Sequence, residues 1–150
     1  MIKRFGVRTS SAELEKLMSK IDLFQSVDFI SHAGKPMTWK IECDAISDDE
    51  WVTLAKMIRE VERRPWSKAV GIPRGGVALG KALDAYSTGN PDHPILIADD
   101  VYTTGTSFIE FKAEHYSDVA TIEWCVFARK ATERRVKALF TMETSGTKHE

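Results

Sequence analysis

Two acids and four hydroxyls crowd into one short window, Asp99, Asp100, Thr103, Thr104, Thr106 and Ser107, directly behind the apolar run Ile95 to Ala98. A carboxylate pair at the end of a buried strand can accept hydrogen bonds from vicinal sugar hydroxyls or hold a hydrated divalent cation, because both offer donors or positive charge to acceptor oxygens. The hydroxyls, with the free N–H groups of a helix start, would form a cup for a phosphate dianion, and Gly105 would let the anion come close. Taken separately, the acids are an ordinary strand end and the hydroxyls are helix caps, a role that Ser and Thr favour. Taken together they favour a ligand, since two crowded carboxylates repel one another unless a partner uses them. The combination points to a sugar phosphate.

A second loop, GIPRGG from Gly71 to Gly76, closes the apolar run Ala69 to Ile72. Gly75 and Gly76 permit unusual backbone angles that turn N–H groups toward an anion, and Arg74 adds a fixed charge with forked donors for phosphate oxygens. A tight strand-to-helix turn with a solvated arginine explains the same residues on its own. A P-loop spacing overlaps this loop, in Gly75, Gly80 and Lys81, but Ala82 stands where a Ser or Thr should reach magnesium. Leu79, Ala82, Leu83 and Tyr86 also read as one face of an ordinary helix, which makes nucleotide hydrolysis the weakest reading.

Such loops need strands to present them. Ala69 to Ile72 precedes a helical pattern over Val77 to Tyr86, Ile95 to Ala98 precedes Thr106 to His115, and Thr121 to Phe127 precedes a segment read as helical, Lys137 to Met142. This alternation predicts an α/β fold, a parallel sheet flanked by helices with a Rossmann-like core, in which ligands bind beyond the carboxyl ends of the strands. Ahead of it, Ser47 and Glu50 form a capping box that opens a helix through Trp51, Leu54, Ala55, Ile58 and Val61, stopped by Pro65. The front of the chain reads as a small hood. Ser10 and Glu13 cap a short amphipathic helix over 11 to 21, and Val27 to Ile30 and Met37 to Cys43 form a strand pair around SHAGKP. One domain is expected over 1–150: the hood at about 1–46, the helix and α/β core at about 47–142, and a tail at 143–150.

The chain has 150 residues, 43% of them hydrophobic, enough for a self-sufficient core in which about two thirds of the unfolded surface is buried. Its 21 Lys and Arg against 22 Asp and Glu leave no global positive field, so nucleic acid is not the expected partner. The longest apolar run, Trp124 to Ala128, is far below the ~18 residues of a membrane span. The start MIKRFGVRTS lacks an apolar region behind its basic residues, so a cytoplasmic location is expected. Cys43 and Cys125 have no metal-ligand spacing and read as buried free thiols.

The string ILIADDVYTTGTS resembles the phosphoribosyl pyrophosphate signature of type I phosphoribosyltransferases, and GIPRGG resembles the pyrophosphate loop of that family. The resemblance runs over roughly residues 24 to 142 and is strongest from 69 to 107. It implies that Asp99 and Asp100 hold the ribose hydroxyls, that Thr103, Thr104, Gly105, Thr106 and Ser107 hold the 5-phosphate, and that Arg74, Gly75 and Gly76 hold the pyrophosphate. By the same resemblance Arg74, Asp99 and Asp100 are the catalytic candidates, and the two acids help to hold Mg²⁺ through water while the ligand supplies most of its coordination. The segment FISHAGKPMTWKIECDAISDDEW is similar to the front of orotate phosphoribosyltransferases, which makes His32, Lys35, Trp39 and Lys40 candidates for an acidic pyrimidine-like base. A homodimer is also implied.

One departure is large. Orotate enzymes insert a long basic mobile loop before the acid-bearing strand, whereas here only STGNPDHP separates Tyr86 from Ile95, with His93 as its sole possible cation. Two hypotheses follow: an orotate-like phosphoribosyltransferase, or a non-catalytic phosphoribosyl pyrophosphate sensor or accessory subunit. Under the second, Arg129, Lys130, Arg134, Arg135 and Lys137 could face a partner, although a solvated basic face explains them as well.

Overall fold

A computed structural model describes residues 22–30, 36–133 and 135–142, so the helix expected over 11 to 21 and the tail lie outside the described residues. The chain divides into two units, Met1–Ala45 and Ile46–Glu150. In the first, β1 (Phe24–Ile30) and β2 (Pro36–Ile41) pair antiparallel, with Ser26 opposite Trp39 and an irregularity between Ser26 and Phe29. The second strand stops short of the expected Cys43, which starts a 3₁₀ turn over Cys43–Ala45.

The second unit opens with α1 (Asp48–Val61), held at its start by the expected capping box. The Glu50 N–H donates to Ser47 Oγ at 3.2 Å and the Ser47 N–H donates to Glu50 Oε1 at 2.8 Å. Trp51, Ala55 and Ile58 recur every three or four positions and form its buried face. The order then runs β3 (Lys68–Gly71), α2 (Val77–Asp84), β4 (Ile95–Tyr102), α3 (Thr106–His115), β5 (Thr121–Ala128) and β6 (Val136–Thr141). The four strands form one parallel sheet in the order β3-β4-β5-β6. No helix among the described residues is long and apolar enough to cross a membrane.

The expected helix at Lys137 to Met142 is instead β6. Its Val136, Ala138 and Phe140 alternate with other residues, and Val136 pairs opposite Glu123 while Thr141 pairs opposite Ala128. The chain therefore has to travel back about 16 Å along β5, which residues 129 to 135 can cover in an extended path. No crossover helix is needed, and the periodic alternation of strands and helices simply ends here.

The two sheet faces are distinguished by their partners. Ile72, Ile97, Cys125 and Val136 form one core with Phe108 of α3. Trp124, the neighbour of Cys125, projects the other way, and its indole N–H donates to Glu62 Oε1 at 2.9 Å at the end of α1. Because α1 packs on α2, those two helices share that second face. The connections β3-α2-β4 and β4-α3-β5 thus step in the same direction across the sheet while passing over opposite faces, so they have opposite hands. Parallel crossovers are almost always right-handed, and one of these two is an exception.

The link from α2 to β4 is tied to the chain that enters β3. The Thr88 N–H donates to the Trp66 carbonyl at 2.9 Å, the Gly89 N–H to Ser67 at 3.0 Å and the Ser67 N–H to Pro94 at 2.8 Å. The link therefore lies at the amino end of the sheet.

Candidate functional site

The carboxyl ends of β3 and β4 bring the two suspect loops together. After Gly71 the chain turns through Ile72 and Pro73, a cis peptide joins Pro73 to Arg74, and the Gly76 N–H returns to the Ile72 carbonyl at 2.8 Å. The Ile72 N–H donates to the Ala98 carbonyl at 2.8 Å, which fastens this loop to β4 immediately before the acids. Arg74 is exposed at the turn.

The glycines matter through space, not through unusual angles. Gly76 has an ordinary φ of -87°, contrary to the sequence expectation, and among the described residues only Gly89 and Gly105 have positive φ. A Cβ on Gly75 would run into the Asp100 carboxylate, and one on Gly76 would lie 2.9 Å from the Asp99 Cα. Gly76 has to be glycine for the loop to reach the acid-bearing backbone, whereas a side chain at Gly75 would push the Asp100 carboxylate aside.

The acids differ from expectation in one respect. They do not follow the strand but lie within it, because β4 continues through Tyr102 alongside β5, with Asp99 opposite Cys125 and Tyr102 opposite Ala128. Polarity suggested a strand end, but backbone pairing carries on beneath the two carboxylates. Asp99 is only 8% exposed, and its Oδ1 accepts the Asp100 N–H at 2.8 Å; Asp100 Oδ1 accepts the Val101 N–H at 2.7 Å. Burial, and then the charge of Asp100, push the Asp99 carboxyl up to about 8. Burial also drives the Cys125 thiol up to about 12, with the two Asp charges adding to the effect, and both cysteines are buried and free as expected.

The hydroxyl loop follows. Gly105, with φ 85°, precedes α3 and offers no side chain to cap it. A Cβ at Gly105 would lie 2.8 Å from the Tyr102 hydroxyl oxygen, so the buried Tyr102 ring sits directly against the loop. Thr104 and Thr106 hydroxyls are 2.9 Å apart, and the Thr106 N–H donates to Thr104 Oγ1 at 3.3 Å. Thr103, Thr104, Thr106 and Ser107 are all exposed, as residues that meet a ligand would be.

Among the described residues no cluster of three or more His, Cys, Asp or Glu could hold a metal unaided. The Asp99 and Asp100 oxygens nevertheless fit Mg²⁺, a hard cation that keeps several waters and takes one or two carboxylates beside phosphate oxygens. A nearby dication would also offset the repulsion that raises Asp99.

The remaining candidates are on other elements. Trp39 and Lys40 lie on β2 of the first unit, where Lys40 Nζ is 3.7 Å from Glu42 Oε2, and His32 and Lys35 are outside the described residues. His93 does not serve the site: its Nδ1 is 2.7 Å from Thr88 Oγ1 and its Nε2 3.5 Å from Asn90 Nδ2, in the link at the opposite end of the sheet. Lys81 is exposed on the second turn of α2, and Gly80 packs against the backbone of Val70 and Gly71, which explains the P-loop spacing as helix-to-sheet packing. Of the basic run, Lys137 is bound to Glu62 at 2.9 Å, and Arg134 is outside the described residues. Arg129 is half-buried at the carboxyl end of β5, with its N–H donating to the Tyr102 carbonyl at 3.0 Å. Its position beside the end of the acid-bearing strand was missed in the sequence, where only its place in a charge run was visible.

A parallel sheet with helices on both faces, preceded by a two-stranded antiparallel unit, is the phosphoribosyltransferase-like α/β fold. Among solved structures the chain is similar to the orotate phosphoribosyltransferase of Aeropyrum pernix, with a TM-score of 0.63 at 17% identity over 79% of this chain and 88% of that one. It is also similar to the orotate phosphoribosyltransferase of Francisella tularensis, with a TM-score of 0.57 at 15% identity over 87% of this chain and 86% of that one. The UMP synthase of Leishmania donovani gives a TM-score of 0.67 at 12% identity, over 79% of this chain but only 33% of the longer protein. No family model and no curated protein matches the sequence.

Proposed function

We propose that this protein binds phosphoribosyl pyrophosphate with Mg²⁺ and transfers ribose 5-phosphate to a pyrimidine-like base such as orotate, releasing pyrophosphate. The observation that carries the reading is the close approach of Gly75 in the anion loop to the Asp100 carboxylate, which supports one ligand meeting both loops. Asp99 and Asp100 would accept from the ribose hydroxyls, the exposed hydroxyls of Thr103 to Ser107 and the start of α3 would take the 5-phosphate, and Arg74 would meet the pyrophosphate. Mg²⁺, when bound, would supply positive charge to the leaving group. The fold shared with orotate phosphoribosyltransferases supports the reading, and a homodimer is part of the proposal.

A second reading rests on the α2–β4 link. Bond cleavage at the anomeric carbon places negative charge on the leaving pyrophosphate, and each lost cationic contact costs on the order of 3 kcal/mol, about two decades in rate. With His93 held at the far end of the sheet, this link supplies no such contact. Ligand binding without transfer, as in a sensor or accessory subunit, follows if nothing replaces it.

Calorimetric titration with phosphoribosyl pyrophosphate and Mg²⁺, followed by a pyrophosphate-release assay over a panel of bases, separates the two. Binding with release that depends on one base supports the transferase. Binding without release for any base supports the sensor, and absence of binding removes both. Sedimentation showing only a 16.9 kDa species would remove the dimer.

A further inference from the structure

The return from β5 to β6 leaves an opening where a crossover helix would ordinarily cover the sheet. A pocket of about 410 Å³ lies there, between α3 and the returning chain, on the face opposite α1 and α2. Its α3 wall is formed by Phe108, Ile109 and Ala113, spaced to share one side of the helix, and Val136 stands across from them. This volume lies within the usual range for small-molecule sites.

The polar groups are few and placed at different depths. Glu123 lines the pocket although it is 2% exposed, and Thr121 Oγ1 donates to its Oε2 at 3.1 Å. Among the described residues Thr121 supplies its one side-chain hydrogen bond, and the residue lines a space that the proposed transfer chemistry does not use. Burial raises the Glu123 carboxyl, with Thr121, Arg135 and Lys112 acting in the opposite direction. A carboxyl that lines a pocket can take a donor from a ligand. Nearer the mouth, Arg135 is exposed, while Lys112 donates to the Tyr116 and Val119 carbonyls at 3.1 and 2.7 Å. Glu133 also lines the pocket, so its two cations, Lys112 and Arg135, are matched in number by Glu123 and Glu133. Apolar walls, the buried Glu123 carboxyl and the exposed Arg135 guanidinium define the complementary ligand.

We propose that this pocket is an accessory ligand site for a planar heteroaromatic acid, with a ring N–H donating to Glu123 and the acid group paired with Arg135. Occupancy reaches the hydroxyl loop, because Tyr102 and Gly105 line the same pocket and Tyr102 packs directly against Gly105. The site is independent of the sugar-phosphate reading.

Three probes test it in ¹⁵N-resolved NMR titrations without phosphoribosyl pyrophosphate: indole-2-carboxylate, indole, which lacks the acid, and 1-methylindole-2-carboxylate, which lacks the N–H. Indole-2-carboxylate should shift the amides of Ile109, Ala113 and Val136, and should bind at least tenfold more tightly than either other probe. Arg135→Ala should reduce its affinity about tenfold. Ala113→Trp, an exposed position on α3, should fill the mouth and abolish the shifts while leaving the rest of the spectrum in place. No shift with indole-2-carboxylate, equal affinity for the three probes, or unchanged binding by Ala113→Trp would overturn the site. Shifts at Ala113 with an unmoved Gly105 amide would overturn the link to the hydroxyl loop.

Discussion

Replacing Asp99 with Asn should flatten the dependence of stability on pH. The folded chain holds the Asp99 carboxyl up at about 8 against an ordinary value of 3.8, because it is buried beside Asp100. A carboxyl raised in this way keeps a proton that the unfolded chain releases, so stability declines as pH climbs from about 4 to about 8 and then levels off. Each pH unit inside that window is worth about 1.4 kcal/mol for a fully expressed shift. Between pH 5 and 7 the loss attributable to Asp99 is then about 2–3 kcal/mol. Asn keeps a carbonyl oxygen for the Asp100 N–H, now at 2.8 Å, and has nothing to titrate. Urea unfolding at half-unit pH steps should show the wild-type stability falling more steeply than that of Asp99→Asn by that amount, and the variant should be the more stable at pH 8. Glu62 titrates too far toward acid to disturb this window, and Glu123 is common to both proteins. Parallel profiles would refute the claim that burial and the Asp100 charge hold Asp99 as a strained acid awaiting a ligand.

Gly75→Ala should weaken phosphoribosyl pyrophosphate binding at least tenfold by displacing the Asp100 carboxylate, with a melting temperature close to wild type; unchanged affinity by calorimetry would separate the two loops functionally. Gly105→Ala should cost about 1–2 kcal/mol in denaturant unfolding, since an L residue at φ 85° is strained and its Cβ crowds Tyr102. Glu62→Ala should cost about 3 kcal/mol or more, because it strips the Trp124 N–H and Lys137 of their shared acceptor; circular dichroism melts measure this. In the wild type, burial would raise the Glu62 carboxyl, but hydrogen bonds from Arg64, Trp124 and Lys137 outweigh it and hold it near 2. Its stabilisation is therefore complete above about pH 4.5 and disappears as pH falls toward 2, which acid titration of the same melts will trace.

The fold and the loops were legible in the sequence to different degrees, for identifiable reasons. The capping box at Ser47, the apolar runs before Gly71 and Asp99, and the helix after Gly105 are local signals, and each appears where its pattern puts it. The strand at Val136–Thr141 was misread because a βα rhythm was carried one step too far, and only pairing with β5 decides its form. The acids were placed one step outside their strand because polarity masks backbone pairing. Glu62 was invisible as a core residue: its partners Trp124 and Lys137 come from distant positions, and a lone Glu before two arginines reads as surface. The pocket beside Glu123 could not be anticipated, since it arises from the absence of a helix between two strands.

The tied link between α2 and β4 also limits how this scaffold can be re-engineered. A lid grafted at Gly89 or Asn90 would emerge beside the start of β4 at Ile95, about 13–16 Å along the strand from Asp99 and Asp100. To arrive over the acids, an insertion would have to climb the length of the sheet and come back, which amounts to adding a strand at its β3 edge. Such an addition would give α2 a new strand to lead into and would remove the crossover of opposite hand. Lid and topology are thus a single design problem in this protein, and lengthening the loop alone cannot solve it.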